Sequence, residues 1–266
     1  MLKLLCFLIA SSVLVSNPVP ESIEGKEFDD TQVITGAVGA RYIPVEDKRI
    51  KTRVQLAEGK YDYDLFGRND FEYFPLQLGN GNYKVSIFEN IQDTKYRVVK
   101  TQDVKAELKN PLSVYLTSIQ TINWNKDMAV IKKAAELTKG LKTDNEKINA
   151  IYNYVIKSIS YDYEKIKKID STYVPNIDQI IKDTKGICYD YAAVFAAMLR
   201  SQNIPAKLIK GYSTNVKEYH AWNEIYLVGE KRWMIVDTTY DAVMYRNKKT
   251  YKKEKEVAKY KTSKEY

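Results

Sequence analysis

Histidine occurs once in this 266-residue chain and cysteine twice. One imidazole and two thiols give no ligand cluster of the kind that holds zinc, so neither a metal nor a cofactor is expected. Gly-rich phosphate loops and nucleic-acid motifs are absent, and nucleic acid is not an expected partner. Phenylalanine is scarce, seven residues against 22 tyrosines. Tyrosine suits half-buried sheet faces and rims where one end of the ring stays wet. Long apolar runs are missing except at the N-terminus, where Leu4 to Val15 follow Met1-Leu2-Lys3. That run is long enough for a signal-peptide core and short for a membrane span.

The formal net charge is +8, but it is unevenly placed. Arg246 to Glu265 hold nine Lys/Arg against three Glu, which leaves a near-neutral body carrying a basic tail. Such a tail argues only weakly for nucleic acid. One reading of it is contact with an anionic cell-wall or membrane surface.

Along the chain, residues 1–20 read as a signal peptide or an N-terminal anchor. Val15 to Pro20 offer no clean A-x-A cleavage site, so both readings stay open, and a secreted or extracytoplasmic cell-surface location is expected. Cys6 sits inside the apolar run, ahead of most of it. Residues 21–48 lack a sustained period and read as a linker or loosely held arm. Residues 49–124 break into short strand-like pieces, Ile50 to Leu56, Tyr61 to Phe66, Phe71 to Leu78, Tyr83 to Ile91 and Tyr96 to Leu108. Turn-like breakers such as Gly79-Asn80-Gly81-Asn82 separate them, and a small all-β sandwich-like domain is expected.

Residues 125–243 change character. Met128 to Leu137 has helical spacing, and Thr143-Asp144-Asn145-Glu146 is a capping box ahead of an apolar face at Ile148, Ile151, Val155 and Ile156. A helix begins near Cys188. Ala206 to Tyr212, Glu218 to Val228 and Arg232 to Thr238 alternate as strands, with Gly229-Glu230 as a turn. Residues 244–266 form the Lys-rich tail, expected to be a solvated helix or disordered.

Removal of the signal segment would leave Cys188 as the single cysteine, unable to form an internal disulfide. It is then an inert core residue or a working thiol. A thiol attacks only as thiolate, and a free cysteine titrates near ~8.5. A helix N-terminus favours the anion, and the Cys188 N–H would be free to stabilise an oxyanion. Gly186 just before it would allow a sharp turn and leave room for an acyl group. Pairing Val228 with Lys231 across the turn sets Asp237 opposite Trp222, with His220 diagonal to it on the same face. Asp237 would orient His220, and His220 would hold or accept the thiol proton. Each residue has a plainer role available: a packed cysteine, a satisfied strand histidine, a turn-forming aspartate.

Gly186-x-Cys188-x-Asp190-Tyr191-Ala192, Ile204-Pro205-Ala206, Gly211-Tyr212, His220-Ala221-Trp222-Asn223-Glu224 and Trp233-x-x-x-Asp237-Thr238-Thr239 together resemble the transglutaminase-like superfamily core, of the exported bacterial type. The resemblance spans about residues 143–241. It implies an α+β, papain-like fold with helices packed on an antiparallel sheet. It implies Cys188 as nucleophile, His220 as general base and acid, and Asp237 as the third member. The family commonly has proline after the aspartate, where this chain has Thr238. Tyr161 stands where relatives carry an aromatic near the site, and is an oxyanion-donor candidate against a plain packing role.

The expected function is that of an exported cysteine acyl-transfer enzyme working through a thioester at Cys188. Its substrates would be amide bonds of proteins or cell-wall peptides, and it would act as a protease, amidase or transglutaminase. The competing expectation is a non-catalytic surface protein that keeps the fold for binding or assembly.

Overall fold

The computed structural model describes residues 26–66 and 69–266. The expected signal or anchor segment, residues 1–20 with Cys6, lies outside the described residues, as do residues 21–25 of the expected arm.

The N-terminal part is all β. Its strands are β1 (Phe28–Asp29), β2 (Ala37–Ala40), β3 (Ile50–Leu56), β4 (Gly59–Leu65), β5 (Glu72–Pro75), β6 (Gly81–Gln92) and β7 (Lys95–Ala106). They form two antiparallel sheets, ordered β1-β2-β5 and β4-β3-β6-β7. In β3 the alternation is clean: Ile50, Thr52 and Val54 are buried, and the residues between them are not. This period of two follows from side chains leaving opposite faces of a pleated strand. The sheets meet through Tyr63 of β4 and Phe74 of β5, whose ring centroids lie 4.8 Å apart. The expected small sandwich-like arrangement is present.

Residues 26–48 are more than a loose arm. β2 supplies Ala37, Val38, Gly39 and Ala40, all buried, as the middle strand of its sheet. Small side chains covered on both faces show no alternation, which hides the strand from a periodicity argument. Gly36 turns into it with φ of +96°, in the left-handed region that glycine tolerates.

After this part come α1 (Ala129–Thr138), α2 (Asp144–Ser158), β8 (Ser160–Tyr161), α3 (Ile177–Asp183), β9 (Lys185–Gly186) and α4 (Cys188–Ser201). The order continues with β10 (Ala206–Ser213), β11 (Val216–Leu227), β12 (Arg232–Val236), α5 (Thr238–Arg246) and β13 (Tyr260–Glu265). Thr143 and Glu146 form the capping box of α2. In α4, twelve of fourteen residues are buried, so it is a central helix rather than a surface one. Ala192, Ala193, Ala196 and Ala197 keep its surface shallow enough for close packing.

The helices pack on an antiparallel sheet ordered β12-β11-β10-β13. The β11–β12 register is the one the turn predicts, with Asn223 opposite Val236 and Leu227 opposite Arg232. Asn223 ties α4 to this sheet by donating to the carbonyls of Ala192 at 2.9 Å and Lys207 at 3.0 Å.

The Lys-rich tail is neither a solvated helix nor disordered. Tyr260–Glu265 are β13, the edge strand beside β10. Lys255 is buried against Asp241 at 2.5 Å, and Tyr266 is buried with its carbonyl accepting from Arg200. On β13, Lys261 and Lys264 are exposed while Tyr260 is buried, so a high charge count does not exclude a strand. Among the described residues no helix is long and apolar enough to cross a membrane.

Candidate active site

Cys188 is the first residue of α4. Its position is set by Asp190, which is fully buried. The Asp190 carboxylate accepts from the Ile187 backbone N–H at 2.9 Å, the Lys165 ammonium at 2.6 Å and the Tyr173 hydroxyl at 2.5 Å. A carboxylate in the first helical turn satisfies a backbone donor that has no partner within the helix and sits favourably in the helix dipole. The first-turn N–H groups of α4 therefore stay aimed at the space around the thiol. The approach to Cys188 is fixed from the other side by β8 and β9, which pair in parallel, with the Asp162 N–H donating to the Gly186 carbonyl at 2.9 Å.

Gly186 has a different role from the expected sharp turn and acyl-group space. It is buried, and a Cβ there would stand 2.8 Å from the Cβ of Asp190 and 3.3 Å from a methyl of Ile180. Glycine is needed so that the carboxylate of Asp190 can fold back under the helix start.

His220 lies on β11 and Asp237 at the end of β12, as N-cap of α5. The His220 Nε2 and the Asp237 Oδ2 are 2.9 Å apart, with the histidine 3% exposed and the aspartate wholly buried. Asp237 Oδ1 accepts from the Tyr240 backbone N–H at 3.0 Å, so one carboxylate caps a helix and meets the imidazole at once. Burial alone would push the His220 pKa down. The charge and hydrogen bond of Asp237 outweigh it, Cys188 adds to the rise, and the result is about 10. Burial pulls the other way on Asp237 too, and its carboxyl is nevertheless held below the ordinary carboxylate range, chiefly by His220. With Nε2 turned to Asp237, Nδ1 is the nitrogen left for the thiol.

Tyr161 stands beside Cys188. Its pKa is pushed up to about 12 by burial first and by the cysteine's charge next. Its ring packs against Tyr163 at 4.9 Å.

The sequence reading missed Tyr260. From β13 its hydroxyl donates to Asp237 Oδ2 at 3.0 Å, and its ring packs edge-on against Trp222 at 5.0 Å. No local pattern announces it, because it sits in the Lys-rich tail. Asp190 carried a signal that was open to use: an acid three residues after Ile187, at the third position of a helix start.

The site of this α+β protein is thus a buried His–Asp pair, brought together by β11 and the residue after β12, with a thiol at the N-terminus of a packed helix. Residues 131–238 match the transglutaminase-like superfamily model. Its members are generally cysteine-dependent enzymes. Kyphoscoliosis peptidase of Mus musculus is 30% identical over 116 residues, covering 40% of this chain and 17% of that protein. Protein-glutamine gamma-glutamyltransferase of Pseudomonas aeruginosa is 32% identical over 92 residues, covering 30% of this chain and 14% of that protein. The crystal structure of the periplasmic domain of TgpA from Pseudomonas aeruginosa is similar with a TM-score of 0.41 and 18% identity, over 63% of this chain and 73% of that one. The chain spans about half the length or less of the curated relatives it matches, 53% at most among those named and the archaeal UPF0252 protein.

Proposed function

We propose that the protein is a cysteine acyl-transfer enzyme that cleaves or exchanges amide bonds through a thioester at Cys188. The observation that carries this reading is the buried His220–Asp237 pair at 2.9 Å, whose imidazole is tuned by Cys188 at the head of α4. A histidine kept only for packing would not need a buried carboxylate of its own.

In the reaction, the Cys188 thiol passes its proton to His220 and the sulfur attacks the amide carbon. The carbonyl oxygen gains the electron pair and is met by the first-turn N–H groups of α4, with the Tyr161 hydroxyl as a further donor. His220 then returns the proton to the leaving nitrogen, the C–N bond breaks, and an amine departs. Water or a second amine gives its proton to His220 and attacks the thioester. The thiol is regenerated with a free acid in the first case and a new amide in the second.

Kyphoscoliosis peptidase and the glutamyltransferase carry names on either side of that last choice, and both outcomes pass through the same intermediate. The substrates of this reading are proteins or cell-wall peptides at an extracytoplasmic surface. Export rests on the apolar run from Leu4 to Val15 behind Lys3. Lys248, Lys249 and Lys252, all exposed after α5, are free to meet an anionic surface.

The test is to offer the protein glutamine-containing proteins and cell-wall peptides and to search by mass spectrometry for an acyl adduct on Cys188. A thioester absent from the Cys188→Ala variant is the expected result. No adduct from any substrate, with Cys188 unreactive toward iodoacetamide, would overturn the proposal.

A further inference from the structure

Lys210, on β10, is the residue before Gly211, which pairs with His220. Its ammonium sits 3.5 Å from the ring centroid of Tyr189, the neighbour of Cys188 in α4, and 5.5 Å from that of Tyr266. Among the described residues no carboxylate and no hydrogen bond acts on its charge, which is influenced by Cys188 and Lys264. Two lysines of this region are treated differently, and the buried Arg200 is satisfied by the carbonyls of Ala206, Thr117 and Tyr266. Lys207 lies against Glu265 at 3.0 Å, and Lys255 against Asp241 at 2.5 Å.

Across the β10–β13 ladder, the residue directly opposite Lys210 is a second cation, Lys264, which is exposed and also lacks an ion pair among the described residues. Like charges directly opposite one another destabilise a sheet. Here two stand together with no carboxylate between them, one of them largely withdrawn from water. The charge of Cys188 is the favourable influence on Lys210, while burial and Lys264 both pull its pKa down, to about 8. An anion placed between the two ammoniums would relieve both penalties.

We propose that Lys210, with Lys264 beside it, forms an anion-reading subsite next to Cys188, which selects substrates carrying a carboxylate near the reacting amide. This rests on the acyl-transfer reading of Cys188 for its biological meaning. The carboxylate can belong to a peptide's free C-terminus or to an acidic side chain flanking the amide. The aromatic floor of Tyr189 keeps the ammonium in place without consuming its charge, and low local dielectric strengthens its attraction for the carboxylate.

The charge can be read from the thiol itself. Iodoacetate and iodoacetamide alkylate the same sulfur and differ by one negative charge. The ratio of their rates at Cys188, normalised to free cysteine, is expected to exceed unity about tenfold, by the attraction of an ammonium near the sulfur. Lys210→Met should return that ratio to about one, Lys264→Gln should lower it part of the way, and Lys210→Arg should keep it. Any general effect on the thiolate acts on both reagents and cancels.

Three peptides carrying the same amide then compete for iodoacetamide alkylation: one with a free C-terminus, one amidated, and one amidated with a flanking Glu. Protection by the first alone assigns a terminal carboxylate, and protection by the third assigns a side chain. A ratio near one in the unmodified protein, or one unmoved by Lys210→Met while Lys210→Arg remains folded, would overturn the subsite. Failure of both reagents to alkylate Cys188 would instead overturn the reactive-thiol reading beneath it.

Discussion

The Tyr260 hydroxyl and the His220 ring meet the same oxygen of Asp237, Oδ2, at 3.0 Å and 2.9 Å. With the Tyr240 N–H on Oδ1, the buried carboxylate has three donors drawn from three separate elements. Burying a charge without such partners would cost several kcal/mol.

Tyr260→Phe should therefore lower stability by roughly 1.5–3 kcal/mol, the range for a hydrogen bond to a charged group. The urea midpoint at neutral pH measures it. Iodoacetamide alkylation of Cys188 should slow in the same variant, because His220 loses part of its support. An unchanged midpoint and alkylation rate would remove Tyr260 from the site.

The pH dependence has a fixed sign. His220 titrates at about 10 when folded, against the 6.5 of an ordinary histidine. The folded state keeps a proton that the unfolded chain releases, so this contribution is whole below pH 6.5 and is lost as the pH rises through about 10. Urea midpoints from neutral to strongly alkaline pH should fall for the unmodified protein relative to His220→Gln. A difference between the two that does not vary with pH would contradict the pairing.

Gly186→Ala tests the space beneath the helix start. Its Cβ would lie 2.8 Å from the Asp190 Cβ, so something must shift. Overpacking of this kind costs roughly 1–3 kcal/mol. The variant should also alkylate more slowly at Cys188, since the displaced element carries the thiol. A variant that loses stability but keeps the alkylation rate would separate packing from positioning.

Asp190→Ala removes three donors' acceptor at once. Lys165 is partly exposed and can turn to water, but the Ile187 N–H is left buried without a partner. A loss of about 2–4 kcal/mol follows from the charge-assisted bonds and the orphaned donor. Differential scanning calorimetry would measure it, and Asp190→Asn should recover part of the loss.

Much of the catalytic-type core was legible because its signals are local. The capping box at Thr143 starts α2, the helix at Cys188 follows its apolar face, and the turn at Gly229-Glu230 alone sets the β11–β12 register. What escaped is non-local or lacks contrast. β2 is four small buried residues with no alternation to detect. α5 escaped because Asp237 reads equally well as the end of a strand and as the cap of a helix. Tyr260 becomes part of the site only through pairing of β13 with β10, which leaves no periodic trace in a Lys-rich segment. Lys210 reads as one more lysine on a strand until the fold sets its ammonium over the ring of Tyr189.

The pairing of β13 with β10 also sets an order of events. A Cβ at Gly211 would collide with the carbonyl oxygen of Lys261, so the last strand lies against bare backbone beside His220. During synthesis Cys188 emerges first, His220 and Asp237 next, and Tyr260 only afterwards. A nascent chain thus displays its thiol well before the acid that supports the imidazole is fully clamped. Assembly order itself leaves the His220–Asp237 pair unfinished until β13 has been made.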